Sequence, residues 1–193
     1  MASIQHASIP DAQLHEPKGV AGAASGKVYL ADGAGSGVWK YPAGGAYGEI
    51  YISSGSTAFA LAAASAYSKL DPGNDWDDNG HLNMTLSGNT GEITALVPGT
   101  YMLSFWASFA TAALAAGTAY FFKYAINGSV GTRLIGVQKN TAGVDVINVS
   151  AQGIVTLAAN DIISMYAAGD GTSSSTNITV QESGLNAFLL KAT

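Results

Sequence analysis

The sequence predicts an all-β, antiparallel fold, and three observations carry that prediction. From Leu82 onward, apolar and polar side chains alternate with a period of two, the repeat of strands with one buried and one more polar face. Turn-forming residues recur about every ten residues, the spacing of a sandwich or barrel. Asn127-Gly128 ends one alternating run, and that dipeptide favours the tight turn of a hairpin.

Taken in order, residues 1–45 hold three of the five prolines and no sustained periodicity. Within them "KVYLA" is expected as a short strand, "ADGAGSG" as a loop and "YPAGG" as a hinge. Residues 46–193 form the compact domain. "GEIYISSG" opens it as a strand. "TAFALAAASAYSKL" is ambiguous, because its alanines favour helix while Phe59 and Leu61 alternate as on a strand; strand is chosen because the rest reads as β. In "YMLSFWASF", Tyr101, Leu103, Phe105 and Phe109 share one face, with Ser104 and Ser108 opposite. In "AYFFKYAINGS", Tyr120, Phe122, Tyr124 and Ile126 share a face opposed to Lys123 and Asn127. "DVINVSAQGIVTLAANDIISMYAAG" gives two strands joined near "AAND", and "NITVQESGLNAFLLK" a bulged pair that ends the chain.

Only 11% of the residues are charged, against about 25% in ordinary domains. So little charge leaves a lone monomer poorly solvated, and the composition points to a surface covered by other chains. A net charge of −5 with eight Lys and Arg argues against nucleic acid as a partner. The absence of cysteine rules out disulfides and thiolate chemistry. "MASIQHASIPDAQ" lacks the basic and apolar regions of a signal peptide. The 30 residues Ile93 to Phe122 carry no charge, but Pro98-Gly99 interrupts them and small residues dominate the remainder. Buried strands are expected there rather than a membrane span.

Catalytic and ligand motifs are sparse. "GAASGKV" and "GAGSGV" lack the spacing of phosphate-binding loops and precede no helix. In "DWDDNG", Asp75, Asp77 and Asn79 before Gly80 place oxygen ligands as an EF-hand does, but Leu86 stands where the closing glutamate belongs. A looser calcium site at Asp75, Asp77 and Asn79 stays open beside an acidic solvated loop. His6, His15 and His81 are scattered, and no nucleophile elbow is present. The expectation is a protein that is not an enzyme and holds no cofactor.

Four segments in order resemble the C1q/TNF-like jelly roll: Gly99-Thr100-Tyr101, Asn127-Gly128, Leu157 with Asp161 and Ile163, and Phe188 to Leu190. The resemblance covers roughly residues 80–193. It implies a ten-stranded antiparallel jelly-roll sandwich and a tight homotrimer. Tyr101, Phe105, Trp106, Tyr120, Phe121, Phe122 and Tyr124 would then fill either the trimer interface or each monomer's core.

"DAQLHEPKGVAGAASGKVYLADGAGSGVW" resembles an N-terminal module of tailed-bacteriophage virion proteins. That resemblance implies a trimeric capsid decoration (cement) protein or short head fibre. It would dock to the major capsid protein or another virion protein through residues 1–45 and sit on the outer surface of the virion, having been made in the host cytoplasm. Leu14, His15, Glu16, Pro17, Lys18, Val20, Tyr29 and Trp39 are the expected attachment residues, with prolines that stiffen the arm. The alternative is the receptor- or glycan-binding tip of a short tail fibre, with Trp76 stacking on a host-surface sugar. A hydrolase stands third.

Overall fold

A computed structural model describes residues 22–31, 33–34, 37–61, 66–71, 76–114, 118–132, 135–138, 143–171 and 177–193. These form fifteen strands: β1 (Val28–Ala31), β2 (Gly37–Lys40), β3 (Tyr47–Ile52), β4 (Ala58–Ala60), β5 (Ser68–Lys69), β6 (Asp77–Leu82), β7 (Met84–Ser87), β8 (Glu92–Ala95), β9 (Gly99–Leu114), β10 (Ala119–Ile126), β11 (Ser129–Val130), β12 (Ile135–Gln138), β13 (Gly143–Leu157), β14 (Ile162–Gly169) and β15 (Asn177–Ala192). Every pairing among them is antiparallel.

Two sheets face each other. One runs β13-β9-β15-β3-β6, with β4 also on β15; the other runs β11-β10-β14-β8-β7, with β12 on β10 and β5 on β14. The alternation seen in the sequence decides which side chains meet between them. Tyr101, Leu103, Phe105 and Phe109 of β9 turn inward, as do Tyr120 and Phe122 of β10. Phe109 packs edge-on against Tyr120 and tilted against Phe122, at 5.3 Å in each case, and Phe105 lies 5.7 Å from Phe122. Ile50, Ile163, Met165, Leu185 and Leu189 complete this core. Tyr124 and Ile126, expected on the same face, pack at its margin and are half-buried. The charge-free run from Ile93 supplies β8, β9 and the start of β10. Among the described residues no helix is long and apolar enough to cross a membrane.

The turns follow their chemistry. Asn127 (φ 51°) and Gly128 (φ 75°) both occupy the left-handed region, as a two-residue turn matched to strand twist requires. The Asn127 side chain then links two segments that lie far apart in sequence: its oxygen accepts from the Ile162 N–H at 2.9 Å, and its Nδ2 donates to Asp161 Oδ1 at 2.8 Å. Asp161 also accepts from the Ala158 N–H at 2.7 Å, closing the β13–β14 hairpin.

Several expectations are corrected. "NITVQESGLNAFLLK" is one strand, β15, not a pair. It bonds to β9 along its length and, on its other edge, to β4 over Asn177–Thr179 and to β3 over Ser183–Phe188; the irregularities against β9 between Val180 and Glu182 and between Leu189 and Lys191 are absorbed as bulges. Within "DWDDNG", expected as a loop, Asp77 to Gly80 belong to the edge strand β6 (Asp77–Leu82), held to β3 by ladder bonds that no side-chain pattern announces. "GVWK" is a strand as well, β2, so the arm contains a hairpin and not a lone strand. The "YPAGG" hinge is fastened at its far end. There the Gly44 N–H donates to Leu189 O at 2.8 Å, Gly45 N–H to Pro42 O at 2.9 Å, and Asn83 Nδ2 to Gly45 O at 2.7 Å. The strand reading of "TAFALAAASAYSKL" holds at β4 and β5, while residues 62–65 lie outside the described residues.

Candidate assembly surface

The outward face of the β13-β9-β15-β3-β6 sheet is where exposed apolar side chains collect. Among the described residues twelve large hydrophobics are exposed, and eight of them sit on this sheet: Tyr47, Leu82, Met102, Trp106, Val146, Ile154, Phe188 and Leu190. The opposite sheet carries none of the twelve. Register aligns five of the eight into one row. Ile154 stands beside Met102, Met102 beside Phe188, Phe188 beside Tyr47 and Tyr47 beside Leu82. Directly opposed residues project from the same face with Cβ atoms about 5 Å apart, so the row crosses all five strands without a polar break.

Trp106 lies on the same face of β9, four residues from Met102. Its indole lies over Gly184 of β15, where a Cβ would come within 2.4 Å of the ring nitrogen. The Ser183 hydroxyl donates to the Trp106 carbonyl at 2.8 Å. The missing side chain on one strand is thus the seat of the exposed aromatic on its neighbour. At the sheet's edge, β13 pairs only with β9 among the described strands, and it exposes Val146 and Ile154. A long edge strand with apolar outward residues is a template for another chain unless something covers it.

The aromatic residues that the sequence left between interface and core now separate. Tyr101, Phe105, Tyr120 and Phe122 are core, Tyr124 is at its margin, and Trp106 is on the surface; Phe121 is half-buried. Burial pushes the Tyr101 hydroxyl up to about 12, and it donates to Val97 O at 2.6 Å; burial raises Tyr120 too.

Of the expected attachment residues, Leu14, His15, Glu16, Pro17, Lys18 and Val20 lie outside the described residues. Tyr29 and Trp39 are directly paired across the β1–β2 hairpin, edge to face at 5.3 Å. Sequence reasoning missed Val28, Leu30 and Val38, which are exposed on the hairpin's other face. Their alternation with Tyr29 and Trp39 was the available signal.

The residues of the calcium expectation are only partly described. Asp75 lies outside the described residues, and Asp77 is exposed on β6. Asn79 is engaged at both ends, its Nδ2 donating to Glu49 Oε2 at 2.8 Å and its Oδ1 accepting from the Gly80 N–H at 2.8 Å. Among the described residues no three His, Asp or Glu side chains gather as a metal site. Trp76, expected to stack on a sugar, is internal: 3% exposed, with its indole N–H donating to Leu70 O at 3.1 Å. A tryptophan in an acidic stretch reads as exposed until the strand that follows it turns the ring inward.

Two opposed antiparallel sheets with this connectivity are a C1q/TNF-like jelly roll. Among solved structures the chain is similar to Eiger TNF from S. frugiperda, at 10% identity with a TM-score of 0.50, over 77% of this chain and 95% of that one. It is also similar to the globular domain of zebrafish complement 1qA, at 16% identity with a TM-score of 0.46, over 77% and 99%. No protein-family profile and no curated protein sequence matches.

Proposed function

We propose that this chain is a bacteriophage virion structural protein. It is a homotrimeric capsid decoration protein or short head fibre, without enzymatic activity, on the outer surface of the particle. The observation that supports it is that eight of the twelve exposed large hydrophobics among the described residues collect on one sheet and three more on a separate hairpin. A contiguous apolar face is uncommon on a free monomer and marks an association surface. Three copies closing head to tail would hide both the row from Ile154 to Leu82 and the β13 edge, as cyclic assembly requires of unlike surface patches. The hairpin, in the arm that resembles phage attachment modules, is left to grip the particle. Three arms acting together give firm attachment even when each binds weakly.

The glycan-tip reading loses its anchoring residue, because Trp76 is in the core.

Two measurements test the proposal. Light scattering at micromolar concentration is expected to give the mass of three chains, and the double variant Met102→Glu/Phe188→Glu that of one folded chain. Deletion of residues 2–40 is expected to abolish adsorption to bare particles. A monomeric wild type refutes the assembly, and undiminished adsorption of the deletion refutes attachment through the arm.

A further inference from the structure

Asparagine precedes glycine twice in this chain, at Asn79-Gly80 and Asn127-Gly128, and the fold sets the two pairs in unlike surroundings. The dipeptide is chemically labile, because no side chain on the glycine hinders its nitrogen from reaching the asparagine amide carbon. Asn127 is held away from that reaction. Its Oδ1 accepts from the Ile162 N–H at 2.9 Å and its Nδ2 donates to Asp161 Oδ1 at 2.8 Å, so the amide is turned toward another segment. Asn79 is folded toward the reaction. The register of β6 on β3 shifts between Gly48 and Ile50, leaving Asn79 and Gly80 together opposite Glu49, as in a bulge. There the Gly80 N–H donates to Asn79 Oδ1 at 2.8 Å, which sets the Gly80 nitrogen beside the carbon it would attack. All six residues of β6 are exposed, and a Cβ on Gly80 would meet nothing within 4 Å.

The partner of the amide nitrogen gives this chemistry a consequence. Asn79 Nδ2 donates to Glu49 Oε2 at 2.8 Å. Both residues line an open groove of about 460 Å³ together with Tyr47, Asn186 and Phe188. Tyr47 and Phe188 belong to the apolar row that assembly would hide.

We infer that Asn79-Gly80 is a self-modification site of the unassembled chain, and that its conversion to a carboxylate disfavours that chain's assembly. The Gly80 nitrogen gives up its proton to hydroxide and bonds to Asn79 Cγ. The Cγ–Nδ2 bond breaks, ammonia leaves with a proton taken from water, and a cyclic imide remains. Water then opens the imide to aspartate or isoaspartate. In sum one water is consumed and one ammonia released, with no oxidant or reductant. Glu49 thereby loses its donor and faces a second carboxylate. Covering the groove would take both charges out of water unpaired, which is costly. The consequence rests on the assembly reading, and the chemistry of the site does not.

The test uses Met102→Glu/Ile154→Glu, two exposed positions outside the groove whose added charges keep the chains single. This variant is held at mildly alkaline pH and followed by peptide mapping and ammonia release. Conversion at Asn79 is expected to run about tenfold faster than at Asn127, which must first break its hydrogen bonds. Adding Gly80→Ala is expected to slow Asn79 several-fold, with circular dichroism unchanged and Asn127 keeping its rate. In the otherwise unaltered chain, Asn79→Asp is expected to need about tenfold more protein to reach the assembled mass in light scattering. Asn79→Ala, which loses the bond without adding charge, is expected to need a smaller increase. Equal rates at Asn79 and Asn127, or a rate at Asn79 indifferent to Gly80→Ala, overturn the site. Assembly of Asn79→Asp at wild-type concentrations, or no better assembly by Asn79→Ala, overturns the consequence. If the wild type is itself a single chain, the assembly reading falls and takes the consequence with it, while the peptide maps still decide the site.

Discussion

Replacing Trp76 separates the internal role seen here from a surface role. Its side chain is almost wholly buried, it donates to Leu70 O, and Gly91 approaches so closely that a Cβ there would sit 2.7 Å from the indole nitrogen. Truncating a buried tryptophan to alanine costs about 3–5 kcal/mol through lost transfer energy and the residual cavity. Within that loss, a carbonyl deprived of its buried donor accounts for roughly 1–3 kcal/mol. A total near 4 kcal/mol, divided by a urea slope of roughly 2–3 kcal/mol per molar, lowers the unfolding midpoint by about 1.5 M. Trp76→Phe keeps most of the volume and loses the donor, so about 1–3 kcal/mol is expected. The assay is urea unfolding followed by circular dichroism at one fixed chain concentration, because self-association raises apparent stability. A loss below about 1 kcal/mol for Trp76→Ala, the range of surface substitutions, would refute the placement of the ring in the core.

Three further outcomes are expected. Asn127→Ala removes the acceptor for the Ile162 N–H and the donor to Asp161; it should cost about 1–2 kcal/mol in urea unfolding, with native circular dichroism retained. Glu92 is opposed by burial first, but the hydrogen bonds from Lys69 and Thr90 and the Lys69 charge outweigh it, so its carboxyl is held below the usual range. Its folded value being the lower one, this stabilisation is present above the unfolded carboxylate value and is lost as pH falls through the folded value. The stability gap between wild type and Glu92→Gln should therefore shrink between about pH 6 and pH 3. Tyr101 has the opposite sign: a folded value of about 12 means stability intact below pH 10 and lost as pH rises toward 12. Alkaline unfolding should steepen there in wild type and less in Tyr101→Phe.

The motifs of the resemblance were legible because each is a local necessity. Gly99 opens β9 where Lys191 O leaves no room for a Cβ, and Asn127-Gly128 supplies the two left-handed residues of a turn. That Asn127 and Asp161 bond to each other was not legible, since 34 residues separate them and neither position advertises its partner. The same limit explains β6: its six residues are all exposed, so no buried face marks them as a strand, and only bonding to β3 makes them one.

The order of side chains by itself determined that the strands have two unlike faces, because alternation is a property of the chain alone. Which of those faces becomes the core, and which is left outward, was decided only when the sheets met. Phe105 and Trp106 are neighbours of similar bulk in the sequence, yet one is enclosed by Phe122 and the other rests on Gly184 in the open. Burial is conferred by the opposing sheet and the cross-strand neighbour, and those come from parts of the chain that the local pattern cannot see.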